Sequence, residues 1–379
     1  MTSAPQEPTV PAQTMVGPRR YVQGRGVIGT IGKHLAPLGD SIMMLAAPSA
    51  WELAGATVRD SCAAAGITLW HERFGGECTA AEIERVATAI RSSGVSAIAG
   101  FGGGKALDTA KAAGHLAGVG WASVPTIAST DAPTSALSVV YTDEGAFAEY
   151  RFFPHNPDVV LVDTELAANA PHRFLVSGMG DALATWVEAR AVSEARASTM
   201  AGGTATMAGQ ALARLSWDTL LAYGSAAREA ARHHAVTTAL EKTVEANTLL
   251  SGLGFESAGL AAAHAVHNGL TAVAETHGTM HGEKVNFGTL TQLVLADHTS
   301  AEIDELLAFA TTVGLPTTLG EIGLAEGDLD TLRTVAATAT APGETMHNMP
   351  FPVTSTMTLD AMMAADAYAT SYRRRHGLD

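Results

Sequence analysis

The sequence predicts an α/β N-terminal domain on a parallel, doubly wound sheet, followed by an all-α C-terminal domain. Three observations carry this. Up to about residue 165, short apolar runs alternate with amphipathic helical patterns, as crossover connections in a parallel sheet require. After Pro171 the chain turns to long Ala-, Leu- and Glu-rich stretches that read as helix after helix. With 379 residues there is material for two cores.

Residues 1–18, rich in Pro, Thr, Ser and Gln, read as a disordered leader, with Met15 as an alternative start. They lack the basic start and apolar centre of a signal peptide. Strand candidates are Ser41–Ala47, Ile67–Trp70, Val95–Gly100, Trp121–Val124 and Val159–Val162. Thr79 and Glu82 form a capping-box pattern before Ile83, Val86, Ala87 and Ile90, and Gly94 closes that helix. The boundary falls near residue 170, giving domains 19–170 and 171–379. Helices are expected over Asp181–Ser193, Thr237–Leu250, Glu302–Val313 and Leu359–Arg375.

Composition excludes several classes. Hydrophobic residues make up 47% and charged residues 16%, the balance of a globular protein. No apolar run approaches the roughly 20 residues of a membrane-spanning helix. A net charge of −15 opposes nucleic-acid binding, though it leaves room for a local positive pocket. Two cysteines, Cys62 and Cys78, make no disulfide framework and fit a reducing, cytoplasmic setting.

Three stretches carry chemistry. Gly102, Gly103 and Gly104 precede Lys105 between a strand and a helix, where free N–H groups attract phosphate. The alternative is a plain tight turn. The loop from Val124 to Leu137 is dense in hydroxyls, with Asp131 its only charge. It suits a ribose, a pyrophosphate or a polyol, or is an ordinary hydroxyl-rich turn. Asp181 stands alone in an apolar helical pattern, and His264, His267, His277 and His281 crowd one short stretch. Imidazoles and a carboxylate from separate helices are what a catalytic divalent metal needs. Zn²⁺ fits that donor set, as do Fe²⁺, Co²⁺ and Ni²⁺. Spacing alone does not separate ligands from satisfied core histidines.

The motifs together identify a family. Arg20–Gly24, Phe74–Cys78, Gly102–Lys105, Ala128–Pro133, Gly178–Trp186, Leu250–Gly259, His264–Gly269, His281–Lys284 and His347–Pro352 resemble the bacterial glycerol dehydrogenases of the iron-type (group III) alcohol dehydrogenase superfamily. The resemblance implies a dehydroquinate synthase-like fold with a Rossmann-like dinucleotide-binding domain. It implies zinc on Asp181, His264 and His281, and NAD held near Gly103, Gly104, Lys105 and Asp108. Thr126, Ser129, Ser135, Leu137 and Tyr141 would be further cofactor contacts. Asp131, His264 and His281 would face a polyol, with His267 a secondary position near the nicotinamide and His277 without a role. The implied reaction takes glycerol to dihydroxyacetone by hydride transfer from a metal-bound alkoxide. The family also suggests a homo-oligomer, an octamer built from dimers.

Departures from the family pattern bear on specificity. Thr185 stands where iron-type enzymes have a further histidine ligand, which favours three ligands. Ala47 replaces an acidic residue at the end of the first strand, so a contact to the ribose 2′-hydroxyl is missing and NADP stays open. Thr134 replaces a cysteine and Ala258 a glycine. A dehydroquinate-synthase-type lyase or cyclase, or a glycerol-1-phosphate dehydrogenase, would need more lysines and arginines than the one lysine between His264 and Lys284. A non-catalytic helical scaffold would leave the glycine turn and the Asp131 loop without purpose.

Overall fold

The computed structural model describes residues 12–143, 145, 147–324 and 328–378. Six strands form one parallel sheet: β1 (Tyr21–Gly24), β2 (Ser41–Ala46), β3 (Thr68–Arg73), β4 (Ala97–Gly102), β5 (Gly120–Pro125) and, after a hairpin, β8 (Val159–Asp163). Their order is β1-β8-β5-β4-β2-β3. The hairpin, β6 (Leu137–Tyr141) and β7 (Phe147–Phe152), is antiparallel and separate. Neither β1 nor this hairpin was among the strand candidates.

Alternate residues of β2 enter opposite cores. Ile42 and Met44 pack with Leu35 and Val58, whereas Met43 and Leu45 pack with Ile83, Val86 and Ile90. That two-residue period covers both faces of the sheet with helices. They are α1 (Ile31–Leu35), α2 (Pro48–Ala64), α3 (Ala80–Ser93) and α4 (Gly104–Ala117). Only half of the expected capping box forms. Thr79 accepts the Glu82 N–H, but the Glu82 carboxylate turns to the Gly75 N–H at 2.8 Å and to Arg85.

From β2 the chain moves outward to β3, then crosses back to β4 beside β2. The crevice at the ends of β2 and β4 is therefore a topological switch point, where open α/β sheets bind ligands. Ala47 and Gly102 meet there. Gly102 has φ +155°, and a Cβ on it would lie 2.9 Å from the Ala47 Cβ.

The helical part begins at α5 (Thr164–Asn169), directly after β8, and α5 packs against later helices. It continues through α6 (His172–Ala195), α7 (Met207–Arg232), α8 (Thr238–Glu245), a π-turn (Ala246–Leu250), α9 (Ser251–Ala258) and α10 (Ala262–Thr271). Then follow α11 (His281–Leu295), α12 (Ser300–Val313), α13 (Leu329–Ala339) and α14 (Ser355–His376). The helix expected to end at Leu250 runs on through the π-turn into α9. The helix expected from Asp181 starts earlier, at His172, after Pro171 as its cap residue.

Residues 1–11 lie outside the described residues, and residues 12–18 do not behave as a free leader. Gln13 bridges Thr204, the Thr14 N–H donates to the Thr204 carbonyl at 3.2 Å, and the Val16 N–H donates to Ser257. Backbone pairing holds this segment on the helical part. Among the described residues, no single helix is long and apolar enough to cross a membrane.

Candidate metal and cofactor site

Glycines allow the proposed ligands to converge. The first turn of α11 crosses α6 so closely that a Cβ on Gly282 would overlap the Ser177 carbonyl, and one on Gly180 the Gly282 carbonyl. Gly178 abuts the Ala128 carbonyl in the same way. The Gly282 N–H donates to the Ser177 hydroxyl at 3.2 Å, and Glu283 grips Arg173 at 2.6 and 2.8 Å. Asp181 on α6 thereby faces His281, the first residue of α11, and His264 of α10.

Ligating atoms of Asp181, His264 and His281 lie within 4.8 Å of one another. The His281 Nε2 is 3.1 Å and the His264 Nε2 3.4 Å from Asp181 Oδ1. The donor chemistry fits a divalent cation: a fully buried carboxylate faces two imidazoles and no lysine or arginine pairs with it among the described residues. Burial opposes charge on Asp181, yet His281 and His264 hold its carboxyl well below the usual range.

Glu188 was not anticipated. It lies two helical turns after Asp181 on the same face of α6 and is wholly buried. Its Oε1 accepts the Ala261 N–H (2.8 Å) and the His264 N–H (2.9 Å), free donors at the start of α10. Its Oε2 lies 2.6 Å from His264 Nδ1. This is the carboxylate–histidine arrangement that leaves Nε2 free to bind a metal. The signal in the sequence was a second acid at helical spacing from Asp181.

Burial disfavours charge on His264, but Glu188 and Asp181 raise its pKa well above the ordinary value. In the metal-free protein this shift favours the protonated imidazole, and a metal must displace that proton. Metal uptake is therefore expected to release protons, with affinity falling about tenfold for each unit by which pH is lowered, per proton displaced. Calorimetric metal titrations between about pH 6 and pH 8 check this. Affinity independent of pH would show that His264 is already neutral.

Asp131, 8% exposed, borders the triad. Its N–H donates to Asp181 Oδ2 at 3.2 Å, and its own Oδ2 accepts the Ser251 hydroxyl at 2.7 Å. Burial, and then the charge of Asp181, raise its pKa well above the usual carboxylate value. Thr185, at the position of the absent fourth ligand, bonds Ser251 at 2.8 Å. His267 sits beside His281, ring centroids 4.2 Å apart, with Nδ1 3.2 Å from Asn268 Oδ1. Burial, then His281, Lys284 and His264, push its pKa well below the ordinary value, so it is neutral. His277 is exposed and bonds the Thr271 carbonyl, apart from the cluster.

A cavity of about 410 Å³ joins this cluster to the switch point. Asp131, His264, His267 and His281 line one end, and Ala47, Gly103, Gly104 and Lys105 the other. Ser129, Ser135, Leu137 and Tyr141 line it between them. Thr126 does not; its N–H donates to the Gly102 carbonyl and pins the glycine turn. Asp108 reaches the cavity wall but pairs at 2.8 Å with the wholly buried Lys111 and accepts the Val139 N–H. Lys111 also donates to the Ala132 carbonyl and Ser135, so the two residues brace the hydroxyl-rich loop. Lys105 pairs with Glu77 and lies over the Tyr141 ring. Thr134 is buried and donates to the Thr248 carbonyl, and Ala258 ends α9 in the core.

The chain matches the profile of the iron-containing alcohol dehydrogenase family over residues 18–164. It is 50% identical to glycerol dehydrogenase of Escherichia coli O6:H1, covering 94% of this chain and 97% of that one. It is 49% identical to glycolaldehyde reductase of Halobacterium salinarum, covering 94% and 98%. The crystal structure of glycerol dehydrogenase from Schizosaccharomyces pombe superposes with a TM-score of 0.94 at 38% identity, covering 97% and 94%.

Proposed function

This chain belongs to the iron-containing alcohol dehydrogenase family, in its glycerol dehydrogenase branch, and from that membership and the site geometry we propose that it oxidises glycerol and related vicinal diols, using Zn²⁺ and NAD. The products are dihydroxyacetone and the corresponding ketols. One observation carries the reading: a two-imidazole, one-carboxylate cluster shares a cavity with a glycine-rich helix start and with a further carboxylate, Asp131.

Asp181, His264 and His281 would hold the cation, which would supply Lewis acidity toward a substrate oxygen, and a bound nicotinamide would supply hydride-accepting capacity. Free N–H groups at Gly103 and Gly104, with Lys105, receive the pyrophosphate at the start of α4. Leu137, Phe255 and Leu260 wall the cavity with apolar surface that excludes water. Asp131 accepts a hydrogen bond from the neighbouring hydroxyl of a vicinal diol. Neutral His267 lines the cavity beside His281 without adding charge.

At the other end Ala47 puts no carboxylate beside the ribose, and the first turn of α2 has no acid, so a 2′-phosphate meets no repulsion there. A lyase or phosphate-ester reading needs cations at the metal end. Among the described residues Lys105 is the only lysine or arginine lining the cavity, and it sits at the α4 end. A cytoplasmic setting belongs to the same proposal, supported by the free, buried thiols of Cys62 and Cys78, and a homo-oligomer belongs to it on the family resemblance alone.

The test is reduction of NAD and NADP with glycerol, propane-1,2-diol, butane-2,3-diol and propan-2-ol, before and after chelation and after zinc return. We expect diol oxidation with NAD, a measurable rate with NADP, loss on chelation and recovery with zinc. Chelator-insensitive turnover overturns the metal role, and inactivity on every diol overturns the substrate class.

A further inference from the structure

We infer that Ser251 is a positioning residue that sets the preference for vicinal diols by orienting Asp131; the inference rests on the functional reading above. The π-turn Ala246–Leu250 lies immediately before Ser251, and such turns mark places where a helix is adjusted to aim side chains. This one is fastened to the Asp131 loop along its length. Asn247 Nδ2 donates to the Ala128 carbonyl at 2.9 Å and to the Leu175 carbonyl at 3.0 Å. The Thr134 hydroxyl donates to the Thr248 carbonyl at 3.2 Å. Gly252 packs against Thr134 and the Asp131 carbonyl, with no room for a Cβ.

Within this frame, with Asp131 as the acceptor, counting protons sets the direction of the hydrogen bonds. A serine hydroxyl has one hydrogen, and Ser251 donates it to Asp131 Oδ2 at 2.7 Å. The bond to Thr185 at 2.8 Å must then run from the threonine hydroxyl to the Ser251 oxygen. Both hydroxyl residues are wholly buried. The chain Thr185 to Ser251 to Asp131 occupies one carboxylate oxygen and leaves the other for the cavity, beside the metal ligands. The substrate's second hydroxyl meets an acceptor fixed in place. A simple alcohol has no group to use it.

The experiment is a double-mutant cycle of Ser251→Ala and Asp131→Asn in the zinc-loaded protein, with glycerol and propan-2-ol as substrates. We expect Ser251→Ala to raise KM for glycerol about tenfold, the scale of one buried hydrogen bond. Its KM for propan-2-ol and its metal content per chain stay at the wild-type values. In the Asp131→Asn background the effect of Ser251→Ala on glycerol disappears, because Ser251 acts through that carboxylate. Where Ser251→Ala lowers the yield of folded protein, Thr185→Val carries the same test, with a KM increase for glycerol of roughly two- to threefold. Equal losses on both substrates, loss of metal, or additive effects in the cycle overturn the inference. If the wild-type protein oxidises no diol, the functional reading fails as well, an outcome visible before any variant is made.

Discussion

Replacing His264 by alanine is expected to abolish turnover and metal retention together. The substitution removes one of the three proposed ligands and leaves two buried carboxylates, Asp181 and Glu188, without the imidazole between them. Loss of Lewis-acid stabilisation worth several kcal/mol corresponds to a fall in kcat/KM of at least about a thousandfold. Metal content by elemental analysis should approach zero, while far-ultraviolet circular dichroism still reports a folded helical protein. A metal-free His264→Ala protein with full activity would remove the site from the mechanism.

Glu188→Gln should have the next largest effect, although Glu188 is not among the proposed ligands. Glu188 uses one oxygen for two backbone N–H groups and the other for His264 Nδ1. In glutamine the amide oxygen must stay with the backbone donors, so its NH₂ faces Nδ1. His264 is then driven to the tautomer with its hydrogen on Nε2, the atom that must bind metal. Metal affinity should fall about 10- to 100-fold, as for other partners of metal-bound histidine. Competition against a chelator of known affinity measures this. Unchanged affinity would mean that His264 is oriented by packing alone.

Much of the architecture was legible because it rests on short-range rules. The apolar runs became β2, β4, β5 and β8, since buried parallel strands are continuously apolar, while Ile67–Trp70 led into the exposed edge strand β3. The edge strand β1 has only intermediate burial, and the β6–β7 hairpin follows a loop read for its hydroxyls. Thr79 and Gly94 bounded α3 as read, yet Glu82 found the Gly75 N–H, a partner outside its own helix. Residues 12–18 look like a leader in composition, but their backbone pairs with Thr204.

The chemistry divides along the same line. Asp181, His264 and His281 stand out as polar groups in apolar helices, and the resemblance of their motifs selects them from among the other histidines. Their use depends on contacts between distant segments. His281 meets Asp181 across 100 residues of chain because Gly282 and Gly180 let two helices touch. Glu188 orients His264, and Ser251 holds Asp131, across 76 and 120 residues. Local pattern records what a residue can donate, accept or bury. Which partner it meets depends on packing between helices, and a ligand, an orienting carboxylate and a satisfied core group look alike until then.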